Sequence, residues 1–325
     1  MTKILITDAV DEKYVRALQS IGGFEVDFRN GITADQLPSI IGDYDCIIVR
    51  SRTKLTGKLI GSAQNAKLIV RAGVGTDNID IAAASGMNIA VANTPWANVV
   101  SAAELAFTLM LMISRKAGQA NASMHEGKWE TLKFTGAELS EKVLGIIGLG
   151  RVGREVARRA RAFQMTVIAS DPFLRQDVAD TVGAKLVSME TLLAESDIIS
   201  LHASMMAGNV HLIGAGELAK MKHGAILINT ARGEMVDTVA LVEAVKSGKL
   251  AGAGLDVYEG EPAINPALSQ LPAVVMTPHI GAQTREAQNR VGKEVVEVVE
   301  AFFKRNEMIN VVNEGSIRPN GGKVN

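Results

Sequence analysis

The run Val143-Leu144-Gly145-Ile146-Ile147-Gly148-Leu149-Gly150-Arg151-Val152-Gly153 decides the fold. Its apolar first half reads as a buried strand, and its glycines read as a tight turn that opens a helix near Arg151. Gly148 permits the turn, Gly150 lets the backbone approach a pyrophosphate, and Gly153 lets helix and strand pack closely. An anion then sits on the unpaired N–H groups and the positive end of the helix. The next apolar run, 166–169, leads into Ser170-Asp171, eighteen residues beyond Gly153. A carboxylate there accepts hydrogen bonds from ribose hydroxyls and repels a 2′-phosphate. Strand, glycines, helix, strand and acid in this order predict a dinucleotide site built from Gly148, Gly150, Arg151, Val152, Gly153 and Asp171. Pro172 and Phe173 follow directly, so NAD is expected over NADP, with Arg175 the nearby cation that favours the other choice.

Working outward, short apolar runs alternate with amphipathic stretches nearly end to end. Before the glycine turn, runs at 3–7, 25–28, 46–49, 68–71 and 89–91 are separated by helical patterns such as 11–20, 33–41 and 57–62. After it come runs at 166–169, 185–186, 198–201, 225–229, 252–256 and 274–276, with helices over 152–163, 188–194, 214–221 and 238–247. Short apolar strands separated by helices predict an α/β protein with two doubly wound parallel sheets. A long helical pattern from Ser101 to about His125 interrupts the rhythm. A periodic helix at 287–304, a short run at 309–312 and a tail-like end from Gly315 close the chain.

Composition bounds the function classes. The 325 residues carry 34 Lys+Arg against 35 Asp+Glu, so no global charge favours nucleic acid or an anionic membrane. Hydrophobic residues make up 47%, enough for ample cores. The single Cys46 excludes an internal disulfide and a cysteine metal cage, and suggests a reducing, cytoplasmic setting. The most apolar stretch, 102–113, contains Glu104 and falls short of the roughly 20 residues a bilayer span needs. No metal site is expected.

Five histidines compete for a proton-transfer role. His125, His211 and His223 are expected to face solvent, and His202 ends a strand, where a structural role is expected over one at the edge of a site. His279, in Thr277-Pro278-His279-Ile280-Gly281, lies past the last strand, at the sheet edge where open α/β folds bind ligands. Arg232 in Asn229-Thr230-Ala231-Arg232-Gly233 and Glu261 in Asp256-Val257-Tyr258-Glu259-Gly260-Glu261-Pro262 follow two other strands. Such a trio is a candidate constellation, and from spacing alone it also reads as three solvated loop residues.

These motifs, with Arg71-Ala72-Gly73-Val74-Gly75-Thr76-Asp77-Asn78-Ile79-Asp80 and Ser101-Ala102-Ala103-Glu104, resemble the NAD-dependent D-isomer-specific 2-hydroxyacid dehydrogenases over essentially the whole chain. The resemblance implies a Rossmann nucleotide domain, 95–284, inserted into a discontinuous flavodoxin-like substrate domain, 1–94 and 285–325. It also implies a homodimer through the nucleotide domains. Arg232 would hold the substrate carboxylate and carbonyl, His279 would exchange the proton, and Glu261 would orient the imidazole. Thr230, Ala231, Asp256 and Gly281 would stand beside the nicotinamide half, and the backbone of Val74 and Gly75 would complete the carboxylate site. The run 202–209 lacks the proline and threonines common there, which puts its cofactor contacts in doubt.

Arg50-Ser51-Arg52-Thr53 ends a strand, and residues two apart on an extended segment point the same way. Arg50, Ser51 and Arg52 are therefore candidates for a second anion. The arrangement resembles family members acting on 3-phosphoglycerate; reduction of glyoxylate, hydroxypyruvate or another small 2-oxo acid is the alternative. NAD-sensing transcriptional corepressors share the fold and form a further alternative, although they usually carry terminal extensions.

Overall fold

The expected apolar runs from 3–7 through 274–276 become strands in the computed structural model, which describes residues 1–317. The strands are β1 (Thr2–Ile6), β2 (Phe24–Phe28), β3 (Cys46–Val49), β4 (Leu68–Arg71), β5 (Ala90–Asn93) and β6 (Val143–Ile147). They continue with β7 (Thr166–Ser170), β8 (Ala184–Leu186), β9 (Ile198–Leu201), β10 (Ala225–Asn229), β11 (Leu250–Leu255) and β12 (Val274–Met276).

Two compact units form. One comprises Met1–Asn98 and the chain from Ala282 onward; the other is continuous, Val99–Gly281. The first holds a five-stranded sheet in the order β2-β1-β3-β4-β5, the flavodoxin-like arrangement. The second holds seven strands in the order β12-β11-β10-β9-β6-β7-β8, the doubly wound Rossmann order with one added edge strand. All registered pairs between these strands are parallel.

Side-chain alternation divides each sheet between two cores. In the first unit Ile4, Ile6, Cys46, Ile48, Leu68 and Val70 pack with Val15 and Leu18 and with Val291, Val295 and Phe302 of the C-terminal helix Arg285–Glu300 and the turn beyond it. Their neighbours Leu5, Ile47, Val49 and Ile69 face the opposite core with Leu37, Ile41 and Ile60. In the second unit Ile147, Ile199, Leu201, Leu227 and Leu255 serve one core. Leu144, Ile146, Val167, Ile198 and Ile228 serve the other, beneath the helix Val99–Ser114.

Four expectations about elements need correction. The pattern at 33–41 is no helix but two short 3-10 turns, Leu37–Ser39 and Ile41–Asp43. Pro38 lacks an N–H, and the Thr33 and Gln36 side chains cap one another's backbone N–H groups instead. The helix expected from Ser101 to His125 breaks into Val99–Ser114 and Ala117–His125, with Lys116 at φ +51°. The Ser114 carbonyl, which a continuous helix would use internally, accepts the Ala137 N–H at 2.8 Å. The helix expected over 287–304 ends at Glu300 and passes into a π-turn, Ala301–Arg305. The run 309–312 forms only an isolated bridge, Val311 with Ala92. Residues 318–325, most of the expected tail, lie outside the described residues.

Candidate active site

Gly148 turns the chain at φ +87° directly after β6, and its N–H donates to the Ser170 carbonyl of β7 at 3.0 Å. From the β9 side the His202 N–H donates to the Ile147 carbonyl at 2.8 Å. The glycine turn thus leaves the sheet where β6 separates β7 from β9, the switch point of a doubly wound sheet. Gly150 is the N-cap of the helix Arg151–Ala162. A side chain on Gly153 would strike the Gly148 carbonyl, so the helix rests directly on the turn. Arg151 is exposed in the first helical turn, with Val152 half-buried beside it.

Asp171 follows β7. Its Oδ2 accepts the Leu149 N–H at 2.9 Å and its Oδ1 accepts the Phe173 N–H at 3.0 Å. The carboxylate is therefore fixed against the glycine turn, and each oxygen keeps a lone pair for another donor. Arg175 pairs with Asp177 at 3.0 Å in an exposed position. At β10's end the buried Thr230 Oγ1 has no hydrogen-bond partner among the described residues. A cradle that a Cβ would fill, an anchored acid and an unsatisfied buried hydroxyl fit a dinucleotide. Gly148–Gly153 would take its phosphates, Asp171 a ribose, and Thr230 a polar group of the other half.

Three loops leave the carboxyl edge of neighbouring strands. After β10, buried Asn229 folds the chain back: its Oδ1 accepts the Ala231 N–H at 3.0 Å and its Nδ2 donates to the Arg232 carbonyl at 2.8 Å. Arg232 is half-buried, with Nη1 donating to the Ala231 carbonyl at 2.6 Å. After β11, buried Asp256 shapes the loop that follows β12. Its Oδ1 accepts the Thr277 hydroxyl at 2.6 Å and the Ile280 N–H at 2.8 Å, while Oδ2 accepts the Gly281 N–H at 2.8 Å. Asp256 and Gly281 are thus bound to each other.

His279 stands in that loop at φ +52°, and its Nδ1 lies 2.7 Å from Glu261 Oε1. Burial alone would raise the Glu261 pKa. The hydrogen bond and charge of His279, with a smaller contribution from Arg232, outweigh it and hold the carboxyl below its usual range. The Tyr258 hydroxyl lies 2.9 Å from the Thr277 carbonyl and 3.0 Å from that of Leu255, tying the two loops together. Burial, then the nearby Asp256 charge, push this phenol up to about 12, so it stays a donor.

The other histidines separate cleanly. Burial pushes the His202 imidazole down to about 3, and its Nε2 meets Ser200 Oγ at 2.8 Å, so the ring is uncharged near neutrality and engaged with its own strand. His125 and His223 are exposed, on the helix Ala117–His125 and in the turn before β10. His211 is exposed as well, and its ring pairs with Glu259 at 2.6 Å.

In the first unit, Arg50, Ser51 and Arg52 follow β3, and Val74 and Gly75 follow the adjacent β4. Because β3 stops at Val49, the arginines occupy a turn, and the expectation that they point the same way loses its basis. Arg52 directs Nε to the buried Asp8 carboxylate at 2.9 Å, Nη2 to the Thr7 carbonyl at 2.5 Å and Nη1 toward the Ile32 carbonyl at 3.4 Å. Arg50 spends only Nη1 in this way, on the Ala9 carbonyl at 3.0 Å. Asn78 Nδ2 donates to the Arg50 and Thr53 carbonyls, both at 2.7 Å, and so braces the turn. Asn93 Nδ2 holds the Val74 carbonyl at 2.6 Å. The bracing roles of Asn229, Tyr258, Thr277 and Asp8 have no separate signal in the sequence beyond their closeness to strand ends.

A Rossmann sheet with a glycine cradle at its switch point and a histidine–carboxylate pair on its carboxyl edge defines a nucleotide-dependent α/β protein. Residues 107–281 match the family model described as "D-isomer specific 2-hydroxyacid dehydrogenase, NAD binding domain". The chain belongs to that family. It is 47% identical over 98% of its length to a D-3-phosphoglycerate dehydrogenase of Archaeoglobus fulgidus, of which it covers 60%. A hydroxypyruvate reductase of Thermotoga maritima is 44% identical over 93% of this chain and 97% of its own. Among solved structures, a glyoxylate reductase from Paecilomyes thermophila superposes with a TM-score of 0.90 at 35% identity, covering 97% of this chain and 99% of its own. The chain thus spans about 60% of the length of the phosphoglycerate dehydrogenases it matches. Among the described residues no helix is long and apolar enough to cross a membrane, and no group of three or more His, Cys, Asp or Glu could hold a metal ion.

Proposed function

We propose that the protein is an NAD-dependent D-2-hydroxyacid dehydrogenase, with the first unit as its substrate domain and Val99–Gly281 as its nucleotide domain. The observation carrying this reading is His279 Nδ1 held 2.7 Å from Glu261 at the sheet's carboxyl edge, with Arg232 close enough for its charge to act on the same carboxylate. With Nδ1–H directed at Glu261, the lone pair of the neutral ring sits on Nε2. That nitrogen takes the hydroxyl proton of a D-2-hydroxy acid during oxidation and returns it to the carbonyl oxygen during reduction. Arg232 binds the substrate carboxylate and polarises the reacting oxygen. Bound NAD supplies the acceptor for the hydride leaving C2, and NADH supplies the hydride in reverse. Arg50, Ser51, Arg52, Val74 and Gly75 are assigned to the substrate.

For the substrate, D-3-phosphoglycerate and 3-phosphohydroxypyruvate are favoured by the names of the most similar relatives and by Arg50, whose guanidinium is only partly engaged. A second reading, reduction of hydroxypyruvate or glyoxylate, is supported by the inward commitment of Arg52 and by the full-length match to a hydroxypyruvate reductase. A homodimer through the nucleotide domain, in a cytoplasmic setting, completes the proposal.

One kinetic panel tests it. NADH oxidation is followed with 3-phosphohydroxypyruvate, hydroxypyruvate and glyoxylate, for the parent and for His279→Ala, Arg50→Ala and Arg52→Ala. The expected outcome is a fall in kcat of about 10² or more for His279→Ala with NADH binding retained. Arg50→Ala should raise KM for the phosphorylated acid alone. Unchanged turnover without His279 removes it from the mechanism. Equal effects of the arginine substitutions on all three acids favour the smaller substrates. NADH binding with no turnover on any acid favours the corepressor-like alternative.

A further inference from the structure

Glu261 reaches His279 at the end of a tight turn, in which the Glu261 N–H donates back to the Tyr258 carbonyl at 3.4 Å and Gly260 adopts φ +70°. The remaining member of the turn, Glu259, makes a second histidine–carboxylate pair. Its Oε1 lies 2.6 Å from His211 Nε2, and its Oε2 accepts the Thr238 N–H at 2.9 Å, at the start of the helix Thr238–Lys246. His211 itself donates its backbone N–H to the Glu234 carbonyl at 2.8 Å. Glu234 belongs to the turn Gly233–Met235, which begins one residue after Arg232.

The two turns also touch directly. A Cβ on Gly233 would fall on the carbonyl of Tyr258, so the chain beside Arg232 lies against the chain beside Glu259 with no side chain between them. The segment that supplies His211 is anchored in the same place: the Ile213 N–H donates to the Met235 carbonyl at 2.9 Å, and the Asp237 N–H returns to the Ile213 carbonyl at 3.0 Å. His211 therefore stands on a fixed frame, and its ring closes that frame onto Glu259. The hydrogen bond to Glu259 outweighs burial and raises the His211 pKa; burial raises that of Glu259, but the Thr238 and His211 donors lower it overall. Both shifts favour the charged pair.

We propose that His211 and Glu259 are positioning residues, a latch that fixes the Glu261 turn to the Arg232 turn and so sets the carboxylate that orients His279 relative to the guanidinium that holds the substrate. This rests on the roles given above to Arg232, Glu261 and His279. The latch acts through those residues. Misplacement of a reacting group by about 1 Å costs up to roughly 10²-fold in rate, and beyond the paired ends of β10 and β11 the two turns are held to that tolerance by the Gly233–Tyr258 contact, the Thr238–Glu259 hydrogen bond and the His211–Glu259 pair.

The test compares the parent with His211→Ala, His211→Gln, Glu259→Gln, the double variant His211→Ala/Glu259→Gln, and His279→Ala. Hydroxypyruvate reduction is measured with NADH and with NADH deuterated at the transferred position. Both His211 and Glu259 are partly exposed, so the variants should fold, as checked by thermal melting and by NADH titration. The expected result is unchanged NADH affinity with kcat lowered about tenfold or more in His211→Ala and Glu259→Gln, and a larger deuterium effect because the chemical step becomes slower. His211→Gln, whose amide nitrogen reaches the place of Nε2, should recover most of the rate, and the double variant should be no worse than either single one.

Rates and isotope effects within twofold of the parent in the folded variants overturn the latch while leaving the proposed chemistry standing. A loss that follows only a lowered melting temperature, equally in His211→Gln, also overturns it. A parent indifferent to His279→Ala overturns the chemistry, and the latch with it.

Discussion

Asp171 accepts the Leu149 and Phe173 N–H groups with oxygens that can each take one more donor, so its removal disturbs the glycine turn as well as any ribose contact. Asp171→Ala should raise KM for NADH about tenfold and narrow the gap to NADPH, since the repulsion against a 2′-phosphate goes with it. Steady-state kinetics with both cofactors check this; equal use of the two by the parent would contradict it. Asp256 makes a sharper case. Its carboxylate accepts three donors, and an amide in its place must turn a donor toward one of them. Asp256→Asn should cost about 1–3 kcal/mol, read as a lower Tm, and should lower kcat because the same bonds hold the loop carrying His279. The meeting of His279 and Glu261 could be read beforehand only through the family resemblance, since strand-end position alone also describes solvated residues. Arg52 shows what was hidden: its partners Asp8, Thr7 and Ile32 are at least twenty residues away in sequence, and nothing local reveals that they take its guanidinium.

Strands were legible because parallel strands buried on both faces leave continuous apolar runs, and six of the twelve, including β6 and β9, fall on the expected residues. Helices were less so. The break at Lys116 depends on Ala137 taking the Ser114 carbonyl, a contact no local pattern encodes. Asp197, just before β9, shows how such distant contacts fix an element. Its Oδ2 accepts the Val143 N–H at 2.8 Å and its Oδ1 pairs with Lys222 at 3.0 Å, joining the starts of β6 and β9 to the turn before β10. Burial would raise the Asp197 pKa, but these two partners outweigh it and the net shift is downward. A lowered carboxylate pKa contributes stability that is present above the ordinary value of about 3.9 and is lost as pH falls through the lowered one. Asp197→Asn should therefore melt below the parent at pH 7, and the gap between the two should begin to close as pH falls below about 4. Thermal melts between pH 3 and pH 8 check the sign, and a gap that widens in acid would refute it.

At the scale of the whole molecule, the second unit is a single stretch of chain, Val99–Gly281, with its own seven-stranded sheet and two cores. Its cradle, its acid and its histidine–carboxylate pair all lie within that stretch. A fragment of residues 99–281 should therefore fold alone and bind NADH, and Trp129, the one tryptophan it contains, gives a fluorescence signal for both events. The same unit exposes Met124 at 54%, Trp129 at 83% and Leu132 at 89%, a cluster of large apolar side chains close together in sequence. Isolated apolar residues on a surface need no explanation, but the proposed homodimer would bury these three against a second copy of the same segment. The fragment should then sediment as a dimer with blue-shifted Trp129 emission, and Trp129→Asp with Leu132→Asp should make it monomeric while leaving NADH binding in place. A monomeric fragment from a dimeric full chain would move the contact to the first unit. A fragment that cannot fold would mean that the two cores of Val99–Gly281 do not suffice without the rest of the chain.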